Sequence, residues 1–358
     1  MKGGSVTAFY LCFKPHILMV LTQIGYTFMY IITDASFNHG MNPSVYVTYR
    51  HIVAGITMLP FAYFMERRIR PKLTWALFLE ISVLSLLGVS LTINMYFTSL
   101  KFTSSTLVAC MVNTIASLTF ILAVILRMEI VNVRSPRGIA KILGTAVSLA
   151  GVMMMTLYKG PALQNIGHGI IHIKGNTAAV HKNWLQGSIL AIASCITWSV
   201  WYIMQAYTLK RYPAQLSLTT WMNLVGAAQS AVYTVIVQHK KAAWTIGFDI
   251  DLWSTLYGGV VISGLIIFIQ LWCTEAKGPV FVTMFNPLST ILVALLSYFV
   301  LGEKLYVGSI LGGVIVIMGL YLLLWGKEHD EPETKLKEQE DPKTMILPPD
   351  ENGLKEEP

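Results

Sequence analysis

Apolar runs of about 20 residues recur from one end of this 358-residue chain to the other. A run of that length is what a helix needs to cross a hydrocarbon core of about 30 Å. Ten are readable, near 14–36, 44–65, 75–98, 103–126, 138–158, 186–208, 214–237, 253–274, 279–301 and 305–326. Without water, a spanning segment must satisfy its backbone internally, so the chain is expected to be an all-α membrane protein of ten transmembrane helices. Composition agrees: 54% of residues are hydrophobic and 13% charged, about half the charged share of a soluble domain. The first run is longer than the apolar region of a secretory signal and lacks a convincing small-residue cleavage site, so it is expected to remain as a helix. Cys12, Cys110, Cys195 and Cys273 are isolated and form no CxxC pair, which points to neither a disulfide framework nor a zinc site.

The net charge of +7 conceals an asymmetry. Beyond Gly326 the tail holds 5 Lys and 11 Asp or Glu, leaving +13 on residues 1–326. Placing the N-terminus inside assigns eleven Lys or Arg to the inner loops and seven to the outer ones, with clusters at "ERRIRPK" and "RMEIVNVRSPRGIAK". The positive-inside rule then sets both termini in the cytoplasm. This basic excess is a topology signal and not a nucleic-acid one. The acidic tail, 327–358, reads as disordered. His168, His172 and His181 in the 159–185 loop lack the further ligand that a metal site needs.

The sequence repeats itself. Setting Asn113 on Asn286 aligns "TLVACMVNTIASLTFILAVILRME" with "PVFVTMFNPLSTILVALLSYFVLGE", and Gly144, Gly151 and Lys159 share the spacing of Gly312, Gly319 and Lys327. Spans four and five therefore match nine and ten. That divides the chain into a five-helix unit at 1–158 and a second at 186–326, and five is odd, so the second unit lies inverted. Inverted repeats of this kind place a substrate site near the midplane, lined by interrupted helices. Pro287 can donate no backbone hydrogen bond to Thr283 and marks such an interruption, beside Asn286.

Polar and aromatic residues inside apolar spans nominate the lining: Gln23 and Tyr26 in span one, Arg50 in span two, Asn94 in span three, Asn113 in span four, Trp198 and Gln205 in span six, Gln270 in span eight, and Asn286 with Pro287 in span nine. Arg50 has two readings, a side chain snorkelling to the outer surface or a planar fork of donors for a carboxylate. His51 is expected on a different face, and Trp201 in helix packing. Gln270 sits near an inner end, where meeting interfacial water is one role open to it. No ionisable group is found at midspan, since Asp34 and Glu80 lie near span ends; facilitation is therefore the expected mechanism. Gly144, Gly151, Gly312 and Gly313 are expected to let helices close on one another. No HExxH, paired midspan carboxylates or nucleophile–histidine pairing appears, so an enzyme is not expected.

The segments "KPHILMVLTQIGYTFMYII", "VYVTYRHIVAGITMLPFAYFMERRIRPKLT", "RGIAKILGTAVSLAGVMMMTLYKGP", "YPAQLSLTTWMNLVGAAQS", "LWCTEAKGPVFVTMFNPL" and "GLYLLLWGK" resemble the plant nodulin-like, EamA-type branch of the drug/metabolite transporter superfamily, over residues 14–327. That branch includes the UMAMIT amino-acid exporters and the walls-are-thin type auxin-related carriers. The resemblance implies a carrier of amino acids or, alternatively, of auxin or another small organic acid, with proton coupling left open. It implies a plasma membrane location, with the vacuolar membrane as the alternative. Expected partners are the small-molecule substrate and membrane lipid, with a homodimer left open; no cofactor, metal or nucleic acid is called for. Two positions depart from the family pattern: Ala116 replaces a proline, and Ile93 replaces the Gln before Asn94. Span four thus lacks the residue that breaks the family's helix.

Terminal tags test the topology. Both should label only after the cells are permeabilised, and labelling of either end from outside overturns the assignment.

Overall fold

The computed structural model describes residues 3–102, 111–129, 131, 133–158, 161, 184–239, 241–296 and 307–328. The three-histidine loop, Cys110 and the acidic tail beyond Glu328 lie outside the described residues. Helices make up almost everything described, and no strand occurs among these residues. Among the described residues, four stretches, 13–37, 75–99, 189–211 and 250–277, are both long and apolar enough to cross a membrane.

The first helices are α1 (Gly3–His39), closed by Gly40 at φ 120°, and α2 (Pro43–Met65). Asn42 caps α2, its side chain accepting from Ser44 N at 3.0 Å, and Pro43 takes the first turn, where its missing N–H costs nothing. Helix α3 (Trp75–Ser85) runs through a π-helical stretch, Leu86–Leu91, into α4 (Thr92–Phe102). Then come α5 (Thr114–Ile125), α6 (Pro136–Leu157), α7 (Trp184–Arg211) and α8 (Gln215–Val237). A second π-helical stretch, Tyr257–Ile266, joins α9 (Ile250–Leu256) to α10 (Ile267–Lys277). Two short helices, α11 (Pro279–Thr283) and α12 (Asn286–Leu296), precede α13 (Val307–Glu328).

The outside of this bundle is greasy. Phe64 and Ile125 expose 78% and 67% of their surface, and many Ile, Leu and Val side chains point outward beside them. Water does not favour such a surface, whereas hydrocarbon covers it without penalty. Inside, Thr and Ser hydroxyls turn back onto their own helix, as Thr27 does to the Gln23 carbonyl at 2.8 Å and Thr220 to Leu216 at 2.8 Å.

Helices far apart in sequence pack side by side: α6 on α13, α2 on α8, α3 on α8, α2 on the second π-helical stretch, α5 on α7 and α1 on α12. The α6–α13 seam is the closest. A Cβ added at Gly144 would lie 2.7 Å from the Gly319 carbonyl, and one at Gly151 2.9 Å from the Gly312 carbonyl. The sequence expected close contact from these glycines, and here the backbones themselves touch, as small-residue seams permit in lipid.

Gly144→Leu should therefore force α6 and α13 apart, at a cost of about 1–3 kcal/mol. The thermal midpoint of purified protein in detergent checks it; an unchanged midpoint overturns the packing argument.

Candidate functional site

A cavity of about 150 Å³ opens within the bundle, walled by α1, α2, α4, α7, α8, the start of α10 and both π-helical stretches. Each wall follows from local geometry. On α1, Tyr26, Tyr30 and Asp34 recur every four residues and so share one face; on α2, Tyr46 and Arg50 do the same. A π turn widens the helix and shifts its facing residues, and glycine removes bulk at that point. A Cβ at Gly88 would collide with the Trp201 indole nitrogen, and one at Gly258 with the Tyr46 hydroxyl. The rings continue around the wall: Phe37 meets Tyr46 and Phe97 edge-on at 5.5 and 5.2 Å, and Tyr96 meets Trp198 at 6.4 Å.

Set into this aromatic wall is a chain of polar contacts. Arg50 is 7% exposed; its Nε donates to Ser263 Oγ at 2.6 Å and its Nη1 faces Met29 Sδ at 3.7 Å. Among the described residues, no carboxylate pairs with it. The snorkelling reading is corrected accordingly: the guanidinium turns inward to the cavity. The backbone carbonyl of Ser263 accepts from Asn223 Nδ2 at 2.9 Å, and Asn223 Oδ1 lies 2.7 Å from His51 Nδ1. His51 lines the same cavity as Arg50, which corrects the expectation of a different face. Adjacent helical residues diverge by about 100°, but a cavity enclosed by α8 on one side and a π-helical stretch on the other spans that angle.

Three of the sequence-nominated residues, Tyr26, Arg50 and Trp198, line the cavity. Trp201, expected in packing, lines it too. Asn94 does not, because its Nδ2 donates to the Ser90 carbonyl at 2.6 Å within its own helix. Gln23, Gln205 and Gln270 lie outside the lining and are buried, Gln270 to 0% exposure, so interfacial water is not its partner. Gln23 Nε2, Gln205 Oε1 and both Gln270 amide atoms make no well-formed hydrogen bond. Tyr26 and Tyr202 stand near Gln270, and Tyr202 also near Asn286 and Trp198, which ties this closed polar layer to the cavity floor.

Asn113 and Asn286 also fall outside the lining, and the structure places a third residue between the two segments. Asn113 Oδ1 accepts from Thr290 Oγ1 at 3.0 Å, one turn beyond the half-buried Asn286 and the buried Pro287. The helix around Pro287 is interrupted at Met284 and Phe285, and the matching segment is interrupted at Asn113 with no proline. There the Met111 carbonyl accepts from Thr114 Oγ1 at 2.6 Å and Cys195 Sγ at 3.2 Å, and the Ile115 carbonyl from Ser199 Oγ at 3.3 Å. Side chains of α7 thus supply what a broken turn loses. Sequence reasoning missed Tyr46, Tyr96, Asn223 and Ser263. Tyr46, four residues before Arg50, and Asn223, an amide inside the apolar run 214–237, carried usable signals.

Comparison with known proteins gives a consistent result. The model of the EamA-like transporter family matches twice, at residues 13–157 and 185–325. The Arabidopsis thaliana WAT1-related protein At4g08300 is 41% identical over 99% of this chain and 96% of its own length. Protein WALLS ARE THIN 1 of the same plant is 36% identical over 96% of this chain and 89% of its own. A crystal structure of a protein 14% identical shares the fold, with a TM-score of 0.63 over 87% of this chain and 98% of that one.

Thr290→Val should cost about 1 kcal/mol, the scale of interhelical hydrogen bonds measured in membranes. A double-mutant cycle with Asn113→Leu, read by reversible unfolding in detergent, checks it. Full additivity would show that the Asn113–Thr290 bond contributes nothing.

Proposed function

Because the chain belongs to the EamA-like transporter family of membrane transporters, we propose that it carries small carboxylate-bearing molecules, amino acids foremost, through the cavity as a bidirectional facilitator. The observation that carries this reading is Arg50. A guanidinium held 7% exposed among aromatic rings, with no carboxylate paired to it among the described residues, is a costly arrangement unless an anion completes it. A carboxylate matches its planar donors, and its hydrogen bonds are then charge-assisted. The rings supply an apolar lining for the rest of the solute. Asp34 on the same cavity puts a negative group within the site, which suits the ammonium of a zwitterion.

A ten-span architecture of two inverted repeats, 1–158 and 186–326, joined by an outer loop at 159–185 and followed by a cytoplasmic tail, underlies this proposal. Exchanging the halves maps the α3–α8 contact onto that of α2 with the second π-helical stretch, and α5–α7 onto α1–α12, while α2–α8 and α6–α13 map onto themselves. The double family match supports the same division. In this topology the cavity faces outward. The opposite ends are tied, since Glu66 accepts from Leu216 N and Ser217 N at 2.8 and 2.7 Å, and Glu80 accepts from Thr208 Oγ1 and Arg211 Nη1 at 2.7 and 2.6 Å. Facilitation is favoured because Glu80 is held in that tie and Asp34 stands exposed near the end of α1. Gln23, Gln205, Gln270, Asn113, Asn286 and Pro287 would meet solute when the other end opens. A plasma membrane location belongs to the same reading.

The second reading is a small organic acid such as auxin. The continuous aromatic wall favours it, since a planar acid needs Arg50 and the rings but not Asp34.

Radiolabelled uptake and efflux, normalised to folded protein at the membrane, decide between them. Removing a charge-assisted bond costs about 1.5–3 kcal/mol, so Arg50→Gln should weaken carboxylate transport about ten- to a hundredfold. Asp34→Asn should weaken amino acids and spare indole acids if the first reading holds, and spare both under the second. Unchanged carboxylate flux in Arg50→Gln refutes the site.

A further inference from the structure

Of the cavity-lining residues, two have a side-chain nitrogen that is sealed from solvent and lacks a protein partner: His51 Nε2 and Trp201 Nε1. Trp201 Nε1 is pressed against Gly88, where even a Cβ has no room. His51 Nε2 remains.

Its chemistry can be fixed from its neighbours. Asn223 Nδ2 donates to two backbone carbonyls, Thr219 at 2.8 Å and Ser263 at 2.9 Å. An amide nitrogen only donates and an amide oxygen only accepts, so this pair of bonds settles which way the Asn223 amide points. Its Oδ1, 2.7 Å from His51 Nδ1, can only accept, and Nδ1 must therefore carry a hydrogen. In a neutral imidazole the other nitrogen is then a bare acceptor. Every other strong acceptor along this wall segment is occupied: Ser263 Oγ by Arg50 Nε, Ser263 O by Asn223, and Asn223 Oδ1 by His51.

Arg50 and His51 are thus neighbours in the chain with opposite hydrogen-bonding roles. Arg50 offers donors to an anion. His51 Nε2 offers a lone pair, which repels a carboxylate oxygen and attracts an N–H or O–H group.

Building on the carboxylate reading of Arg50, we propose that His51 is a specificity-determining residue whose Nε2, covered in this arrangement of the wall, is uncovered as substrate docks on Arg50 and accepts a hydrogen bond from that substrate, so that the cavity selects carboxylates that also carry a hydrogen-bond donor. Both an α-ammonium group and an indole N–H qualify; a plain aryl or alkyl acid does not. Asn223 is the positioning residue, acting through the tautomer it imposes.

Proteoliposome uptake with matched probes separates this from the carboxylate reading. One pair is L-phenylalanine and 3-phenylpropionate, which differ by the ammonium group; the other is indole-3-acetate and benzothiophene-3-acetate, which differ by the ring N–H. The native protein should prefer the donor-bearing member of at least one pair by about tenfold in apparent affinity. His51→Leu should lower that preference, to near unity in the indole pair, which owes nothing to Asp34, while the plain acid is still carried, and His51→Gln, which retains an acceptor oxygen, should restore part of it. Loss of all four probes in Arg50→Gln alone, with preference intact in His51→Leu, would uphold the carboxylate site and refute this role for His51. Equal affinities within both pairs for the native protein also refute it. A second measurement does not depend on transport or on the variants being active. In native protein labelled with ¹⁵N-histidine, the His51 signals, recognised by their absence from His51→Gln, should show a protonated Nδ1 and an unprotonated Nε2. A protonated Nε2 in the ligand-free protein overturns the proposal.

Discussion

The absence of water around most of the backbone governs this structure. In hydrocarbon an unpaired amide costs several kcal/mol, so each place where a helix departs from regularity has to be repaired by something specific. At Asn113 the repair comes from Thr114 on the same segment and from Cys195 and Ser199 on α7. At Leu86–Leu91 and Tyr257–Ile266 the irregularity is absorbed by π turns, which keep the backbone bonded while changing which residues face inward. Both π-helical stretches face the cavity together with regular helices, and their glycines, Gly88 and Gly258, leave the space that the Trp201 and Tyr46 side chains of its wall occupy.

The same constraint explains why the polar side chains form a chain and not a scatter. Arg50 on α2, Ser263 on the second π-helical stretch, Asn223 on α8 and His51 back on α2 hold three elements together. Each satisfies a neighbour that would otherwise be stranded. Two directions are left over, the outer donors of Arg50 and the lone pair of His51, and both belong to residues that line the cavity.

Hydropathy made the helices legible, and the Asn113–Asn286 alignment made the matched interruptions legible. In span four the absence of the family's proline put a break in doubt, yet the helix is interrupted at Asn113, and side chains of α7, 84 residues further along, bond carbonyls beside it. Long-range repair of this kind leaves no local mark. Tyr26, Arg50 and Trp198 were readable because polar or aromatic groups stand out in apolar spans. His51 was readable by the same criterion and was set aside by a rule about helical faces that assumes flat neighbours. Gln23, Gln205 and Gln270 stood out equally, yet lie in a closed layer; composition says that a residue needs a partner, not in which conformation it finds one.

That closed layer sets the energetic asymmetry of the molecule. Buried amide atoms of Gln23, Gln205 and Asn113 make no hydrogen bond, and those of Gln270 have only the nearby Tyr26 and Tyr202 hydroxyls without well-formed geometry, at up to about 1–3 kcal/mol each. The end beyond them is held shut by a different kind of contact: Glu66 on the first amides of α8, where the helix dipole favours a carboxylate, and Glu80 with Arg211, half exposed and so weakened by solvent. In the proposed facilitator, opening that end would exchange a few solvent-accessible ties for hydration of several buried amides, and carriage in both directions requires that the two sides of this exchange lie close in free energy.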